Sequence, residues 1–308
     1  MDMHYIRRGE GKPLLLIHGV GGSSRSWDLM IDGLADAGRE VIAVDLPGHG
    51  ATPPLPGEVS ISTLADAVTS FLESQNLLGI DAVGSSMGAR LVLELARRGG
   101  VLGAVVSLNP GGFWRGWEKP VFYYSVASSK RLLQLLQPVL PALAGSSVGR
   151  TLLLSQFSAH PWNLPSKLVL EELRTMATSP SFDELLYNLA YGEAQKGAPR
   201  GTISSPLVIG WGRQDRVCFP QQASRALALF PDASLHWFSR CGHFPQWDSP
   251  EEAVQLVLTV TSGINYEPLL SAEMNTPITT TSTNWAAILG IGLAAAVGTY
   301  LLARPKMN

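Results

Sequence analysis

The segment at residues 84–88, Gly-Ser-Ser-Met-Gly, constrains this chain most because it joins an apolar run to an amphipathic one. The run at 79–83 predicts a short buried strand, and the run at 89–98 has helical spacing and ends at two glycines. A serine at such a strand-to-helix turn is held in a strained backbone conformation that lifts its hydroxyl clear of the sheet. The pattern G-x-S-x-G therefore predicts that Ser86 is an exposed nucleophile.

Short apolar runs alternate with helical stretches along most of the chain, which predicts an α/β fold with a mostly parallel, doubly wound sheet. The predicted strands are 14–17, 41–44, 82–84, 104–108, 207–210 and 235–238. The predicted helices between them are 26–37, 62–74, 89–98, 220–229 and 250–261.

Residues 111–200 interrupt this alternation with aromatic side chains and Leu-rich helical runs at 131–139 and 168–176. An apolar helical insertion after a parallel strand lies at the edge of the sheet where ligands bind in such folds. We therefore expect a helical cap, or lid, at 111–200, although an ordinary helical subdomain is the alternative. The α/β core would then comprise residues 1–110 and 201–263.

The C-terminal part has a different composition. Residues 264–284 are polar and rich in threonine, which predicts a flexible linker. Residues 285–303 contain no charged side chain, and at about 1.5 Å per residue they approach the roughly 30 Å core of a bilayer. We expect a transmembrane helix here, with a buried C-terminal helix as the alternative. Because the N-terminus has no apolar signal segment, the expected protein is membrane-anchored with its catalytic domain on the cytoplasmic face.

Charge and cysteine content limit the classes of partner. The formal net charge of the 308-residue chain is −2, so no basic field supports nucleic-acid binding. The two cysteines, Cys218 and Cys241, are expected to be free thiols in a reducing compartment, with a disulfide between them as the alternative. The oligomeric state does not follow from the sequence.

Two residues downstream of Ser86 complete a candidate catalytic triad. A serine hydroxyl needs a base to take its proton and an acid to orient that base. Asp215 lies in the loop after the strand at 207–210, and His243 lies in the loop after the strand at 235–238. Alone, the first could be a solvated turn carboxylate and the second a core histidine. Together, in the order Ser, Asp, His and at the carboxyl ends of strands, they predict a triad.

The loop at 18–22, His-Gly-Val-Gly-Gly, follows the first predicted strand and suits an oxyanion hole. The two amide donors would be those of Val20 and of Met87, the residue after the nucleophile. A phosphate-binding glycine loop is the alternative, but neither G-x-x-x-x-G-K-[ST] nor G-x-G-x-x-G occurs there.

Five motifs together give the chain its resemblance to a known family: HGVGG at 18–22, DLPGHG at 45–50, GSSMG at 84–88, GRQD at 212–215 and GHFP at 242–245. The chain resembles serine hydrolases of the α/β-hydrolase fold superfamily, of the carboxylesterase type with a helical cap, from about residue 3 to 263. The resemblance implies an eight-stranded sheet, or seven strands because the N-terminus is short. It also implies ester hydrolysis through an acyl-enzyme without a cofactor.

The predicted function is hydrolysis of a small lipophilic carboxylic ester. The expected substrate contacts are aromatic and apolar side chains of the cap and of the triad loops: Phe113, Trp114, Val217 and Phe244. A second hypothesis is C–C bond hydrolysis, because hydrolases of aromatic ring-fission products also carry Ser-Met-Gly and an aromatic segment after the histidine. These enzymes usually have Asn at the position of Ser85. A third hypothesis is a non-catalytic binding protein with the same fold.

Overall fold

A seven-stranded sheet forms the centre of the structure, a computed structural model that describes residues 2–263. Its strand order is β1-β3-β2-β4-β5-β6-β7. The strands are β1 Tyr5–Arg8, β2 Lys12–Ile17, β3 Arg39–Val44, β4 Ile80–Ser85, β5 Leu102–Leu108, β6 Leu207–Gly212 and β7 Ser234–Phe238.

The strands β2 to β7 pair in parallel, whereas β1 runs antiparallel to β3 with Tyr5 opposite Val44. Successive residues of the inner strands face opposite sides of the sheet. Leu15 and Ile17 pack into one apolar cluster, and Leu14 and Leu16 pack into the other. Both faces are covered, which explains why these strands are almost entirely apolar in sequence.

Helices cover both faces of the sheet. They are α1 Asp28–Asp36, α2 Ile61–Ser74, α3 Met87–Arg98, α4 Glu118–Leu136, α5 Leu140–Gly145, α6 Ser147–Leu154, α7 Ser166–Thr178, α8 Phe182–Tyr191, α9 Ala223–Leu229, α10 Pro245–Asp248 and α11 Pro250–Thr261. The apolar side chains of α1 and α11 join the cluster on one face, and those of α2 and α3 join the cluster on the other.

The five helices α4 to α8 lie between β5 and β6 in the chain. Helix α4 packs against α7 and α8, and apolar residues of all three belong to the same cluster as the α3 face of the sheet. The segment therefore rests on the sheet through apolar contacts.

One part of the expected fold class, its transmembrane helix, is wrong. The sheet within residues 2–263 has seven strands, the smaller of the two expected numbers, and it is mixed because the edge strand β1 is antiparallel. Among residues 2–263, no helix is both long enough and apolar enough to cross a bilayer. The longest, α4, has 19 residues but carries Glu118, Lys119, Lys130 and Arg131, whose charges would be costly in hydrocarbon.

The predicted linker at 264–284 and the predicted transmembrane helix at 285–303 lie outside the described residues. The membrane-anchored localisation on the cytoplasmic face, and the membrane as a partner, depended on that helix. With no membrane-spanning helix found in the described part of the chain, both expectations are corrected and are not retained.

Candidate active site

Ser86 occupies the tight turn between β4 and α3 with φ 57° and ψ −111°, a conformation that L-residues rarely adopt. The turn requires glycine on both sides. A Cβ on Gly88 would lie 2.2 Å from the carbonyl oxygen of Ile17, and a Cβ on Gly84 would lie 2.1 Å from that of Gly88. The Ser86 amide donates to the Leu108 carbonyl at 2.9 Å, which anchors the turn to β5. The side chain is thus held at the carboxyl edge of the sheet.

Two hydrogen bonds connect Ser86, His243 and Asp215. Nε2 of His243 lies 2.8 Å from Oγ of Ser86, and Nδ1 of His243 lies 2.9 Å from Oδ2 of Asp215. Since a carboxylate only accepts, Nδ1–H donates to Asp215 and Nε2 is left to accept the serine proton. His243 is 1% exposed, and its amide donates to the Phe157 carbonyl at 2.7 Å, so the helical segment helps to hold its loop. This arrangement can deprotonate the serine as it attacks.

The Asp215 carboxylate is held by donors on both oxygens. Oδ1 accepts from the amides of Val217 and Cys218 at 2.8 and 2.9 Å, and Oδ2 accepts from Asn109 Nδ2 at 2.6 Å as well as from His243. Because every donor comes from a buried group, the carboxylate has one orientation, which aims Oδ2 at the imidazole.

Asn109 is a site residue that sequence reasoning missed. It follows β5 with a left-handed φ of 49°, and its side chain is fully buried. Besides the bond to Asp215, Nδ2 donates to the Gly242 carbonyl at 3.0 Å and Oδ1 accepts from the Gly212 amide at 2.9 Å. Asn109 therefore links β5, the end of β6 and the histidine loop. Its position directly after a predicted strand, before a proline and two glycines, was the available signal.

The two residues predicted to form the oxyanion hole are near the nucleophile, since Met87 follows Ser86 in the chain and Val20 lines the same cavity. Met87 is the first residue of α3, where an amide has no intrahelical acceptor. Neither its amide nor that of Val20 donates to an acceptor among residues 2–263. A Cβ built on Gly19 would lie 3.7 Å from Oγ of Ser86, so the loop containing Val20 borders the serine.

His18 fixes the conformation of this glycine loop. Its Nε2 accepts from the Leu46 amide at 3.0 Å, which leaves Nδ1–H to donate to the Gly19 carbonyl at 2.7 Å. Burial lowers the pKa of His18, so the ring stays neutral and keeps this tautomer. His18 is therefore a structural part of the loop.

A cavity opens from Ser86 and His243 beneath the helical segment. Of the predicted substrate contacts, Val217 and Phe244 line it. The other lining residues are Gly19, Val20, Gly21, Gly22, Ser26, Phe122, Val126, Leu154, Phe157, Glu172, Leu173, Met176, Gln246 and Trp247.

Phe113 and Trp114 are not among the residues that line this cavity. Both are buried: Trp114 stacks on Phe122 at 3.9 Å between ring centroids and donates to the Val217 carbonyl, and Phe113 packs near Trp211. Trp114 therefore packs behind two residues of the cavity wall, Phe122 and Val217. The aromatic composition of this stretch was visible in sequence, but the direction of each ring was not.

Asp215, Cys218 and His243 bring possible metal-ligand atoms within 4.8 Å of one another. The carboxylate and the imidazole already have the hydrogen bonds described above. Burial raises the pKa of the Cys218 thiol well above its usual value, which disfavours the thiolate that would bind a metal. Both Cys218 and Cys241 are buried and free. The cluster therefore fits a hydrogen-bonded triad better than a metal site.

Residues 14–256 match the model of the family described as the alpha/beta hydrolase family. The chain belongs to this family. As an alpha/beta hydrolase it combines the strand-to-helix serine turn with an acid and a histidine on later loops, in the order seen here.

Relatives of this alpha/beta hydrolase include enzymes named for two kinds of reaction. A 2-hydroxy-6-oxononadienedioate/2-hydroxy-6-oxononatrienedioate hydrolase of a Pseudomonas species is 26% identical over 266 residues, covering 83% of this chain and 90% of the relative. The meta-cleavage product hydrolase CumD of Pseudomonas fluorescens IP01 has a similar structure, with a TM-score of 0.64 and 23% identity over 84% of this chain and 94% of that one. An esterase of Exiguobacterium antarcticum has a TM-score of 0.67 and 16% identity, covering 84% and 95%. These structural likenesses establish the shared fold.

Proposed function

We propose that this alpha/beta hydrolase cleaves a small, lipophilic carboxylic ester through an acyl-enzyme on Ser86. The observation that carries the proposal is the 2.8 Å contact between Oγ of Ser86 and Nε2 of His243, at the mouth of a largely apolar cavity. His243 takes the serine proton as Oγ attacks the ester carbonyl carbon, and Asp215 holds the imidazole and stabilises its positive charge. The free amides of Val20 and Met87 would donate hydrogen bonds to the developing oxyanion.

The second half of the reaction uses the same groups. The tetrahedral intermediate collapses when His243 donates its proton to the leaving alkoxide, which leaves the acyl group on Ser86. A water molecule, deprotonated by His243, then attacks the acyl carbonyl and releases the acid. Each proton leaves and returns through Nε2, so no further base is needed.

We also propose that residues 111–200 act as a cap over this site. Helices α4 and α7 supply Phe122, Leu173 and Met176 to the cavity wall, while the sheet supplies the triad. A substrate in the cavity would therefore lie between the sheet edge and these helices, shielded from water.

C–C bond hydrolysis is the second candidate, because the Pseudomonas relative is named for a dienedioate, which is a dicarboxylate. Among residues 2–263, however, no lysine or arginine lines the cavity, and its ionisable residues are Glu172 and His243. A dicarboxylate would have no cationic partner there, and burying an unpaired charge is costly. The apolar lining supports the ester proposal instead. A non-catalytic binding protein would leave the aligned triad without a use.

The test compares Ser86→Ala with Ser107→Ala in assays with p-nitrophenyl esters, a fluorophosphonate probe and a coloured ring-fission dienedioate. Ser107 is a suitable control because it is also buried and its hydroxyl donates to the Ala89 carbonyl on α3, away from the cavity. We expect wild type and Ser107→Ala to hydrolyse the esters and react with the probe, and Ser86→Ala to do neither while remaining folded. Turnover of the dienedioate but not of esters would favour the second candidate. A wild-type protein inert to ester, dienedioate and probe would favour the binding protein.

A further inference from the structure

The cavity contains a carboxyl group that the triad does not use. Glu172, on the cap helix α7, lines the same cavity as Ser86 and His243 and is only 7% exposed. Its Oε2 accepts a hydrogen bond from Oγ of Ser26 at 2.8 Å. Its Oε1 is shielded from solvent and has no hydrogen-bond partner among residues 2–263. Buried polar atoms are rarely left unpaired, so we expect this oxygen to form a hydrogen bond with a molecule bound in the cavity.

The direction of the hydrogen bonds shows where a proton on Glu172 would lie. Oγ of Ser26 accepts from the Ser23 amide at 3.2 Å, and its one hydrogen is donated to Oε2. Oε2 is therefore an acceptor, and a protonated carboxyl would carry its hydrogen on Oε1. That hydrogen has no acceptor in the described part of the chain, so it remains available to a molecule in the cavity.

The surroundings of Glu172 favour its neutral form. Burial raises its pKa to about 8 and outweighs the hydrogen bond from Ser26, which lowers it. The carboxylates of Asp28 and Asp45 on neighbouring elements and of Glu171 on its own helix also raise it. His243 faces the same cavity, and its Nδ1–H is directed at Asp215. No lysine or arginine among residues 2–263 lines the cavity to stabilise a charged Glu172.

We propose that Glu172 is a specificity-determining residue, which donates a hydrogen bond from Oε1 to a neutral oxygen of the substrate and thereby selects uncharged, oxygen-bearing esters over carboxylate-bearing ones. That the substrate is an ester rests on the proposed function. That Glu172 donates a hydrogen bond from Oε1 does not depend on it. An ether, hydroxyl or carbonyl oxygen would satisfy the unpaired group. A substrate carboxylate could accept the same hydrogen, but its net charge would be buried in an apolar cavity whose lining has no cation among residues 2–263, which is costly.

The kinetic test uses p-nitrophenyl hexanoate, its oxa-esters, in which an oxygen replaces the methylene at C3, C4 or C5 of the acyl chain, and the p-nitrophenyl half-ester of adipic acid. The measured quantity is kcat/KM for each oxa-ester divided by kcat/KM for hexanoate. For at least one oxygen position we expect this ratio to be about 10-fold larger in wild type than in Glu172→Leu. Glu172→Gln, which keeps a neutral donor, should retain that preference. The adipate half-ester should be the poorest substrate of wild type and should become still poorer as the pH rises past 8.

A ratio of oxa-ester to hexanoate turnover that is the same in wild type and Glu172→Leu at every oxygen position would overturn the assignment. Failure of the proposed function looks different, because then wild type would not hydrolyse hexanoate at all. Infrared difference spectroscopy on Ser86→Ala separates the two cases, since it needs no turnover. At pH 6.5 we expect a protonated-carboxyl band that is absent from Ser86→Ala/Glu172→Gln and that shifts to lower frequency when an oxa-ester binds. Absence of that band, or no shift with any bound oxa-ester, would refute the proposal.

Discussion

Replacing Asn109 by alanine removes the side chain that joins the acid of the triad to the rest of the sheet edge. The change deletes the bonds from Nδ2 to Asp215 at 2.6 Å and to the Gly242 carbonyl at 3.0 Å, and the bond that Oδ1 accepts from Gly212 at 2.9 Å. All of these groups are buried, so no water replaces the lost partners readily. We expect losses of both stability and activity.

The two losses can be estimated separately. A hydrogen bond to a charged group is worth about 1.5–3 kcal/mol and a neutral one about 1 kcal/mol, so the free energy of unfolding should fall by roughly 3–5 kcal/mol. Asp215 keeps the amides of Val217 and Cys218 and the bond to His243, so it stays in place but is held less firmly. We therefore expect kcat for p-nitrophenyl butyrate to fall about 10- to 100-fold, or roughly 1.4–2.7 kcal/mol. KM should change little because Asn109 does not line the cavity.

Asn76 provides the matched control, since part of the cost comes from placing alanine in a left-handed conformation. Asn76 has φ 56°, close to the 49° of Asn109, but it is exposed at the end of α2. Asn76→Ala should carry only the backbone cost, about 1 kcal/mol in urea unfolding, with unchanged kcat. If Asn109→Ala, still folded, had the same kcat as Asn76→Ala, then Asn109 would not position the acid.

Two further perturbations test the packing and the pH dependence of the fold. Glu118→Ala removes the buried partner of Arg225 at the start of α4 and should lower the free energy of unfolding by about 3 kcal/mol. Glu40→Ala breaks an exposed ion pair with Arg7 and should lower it much less, because solvent screens that pair. Equal losses in urea melts would contradict this expectation. Burial lowers the pKa of His49 to about 3, so the unfolded chain, with a histidine pKa near 6.5, binds the proton first and stability falls as the pH drops from about 6.5 toward 3. His49→Gln should flatten that acid limb, and an unchanged slope would show that His49 does not cause it.

The three residues brought together at the sheet edge were predictable because each follows a strand. Ser86, Asp215 and His243 lie directly beyond predicted strands, and parallel strands place such positions at one edge whatever the loop lengths. The strand positions themselves followed from apolar runs that the covered faces of the sheet require. The strand β1 was missed because it is only four residues long, half exposed and ends in two arginines.

The remaining site residues depend on contacts that local patterns do not encode. Ser26 and Glu172 are 146 positions apart and meet only because helix α7 packs against the segment after β2 that contains Ser26. Glu172 belongs to an amphipathic helix, where a glutamate ordinarily predicts a solvent-facing position. The rings of Phe113 and Trp114 likewise face away from the cavity because β6 and α4 offer them apolar partners.

The central claim is that Ser86 carries the acyl group during turnover, and rapid acid quenching of the reaction with p-nitrophenyl acetate tests it most directly. Peptide mass spectrometry of the quenched protein should find one acetyl group, on the peptide that contains Ser86, which disappears as the ester is consumed. An acetyl group on another residue, or continued ester turnover by a protein that is never acetylated at Ser86, would contradict the account.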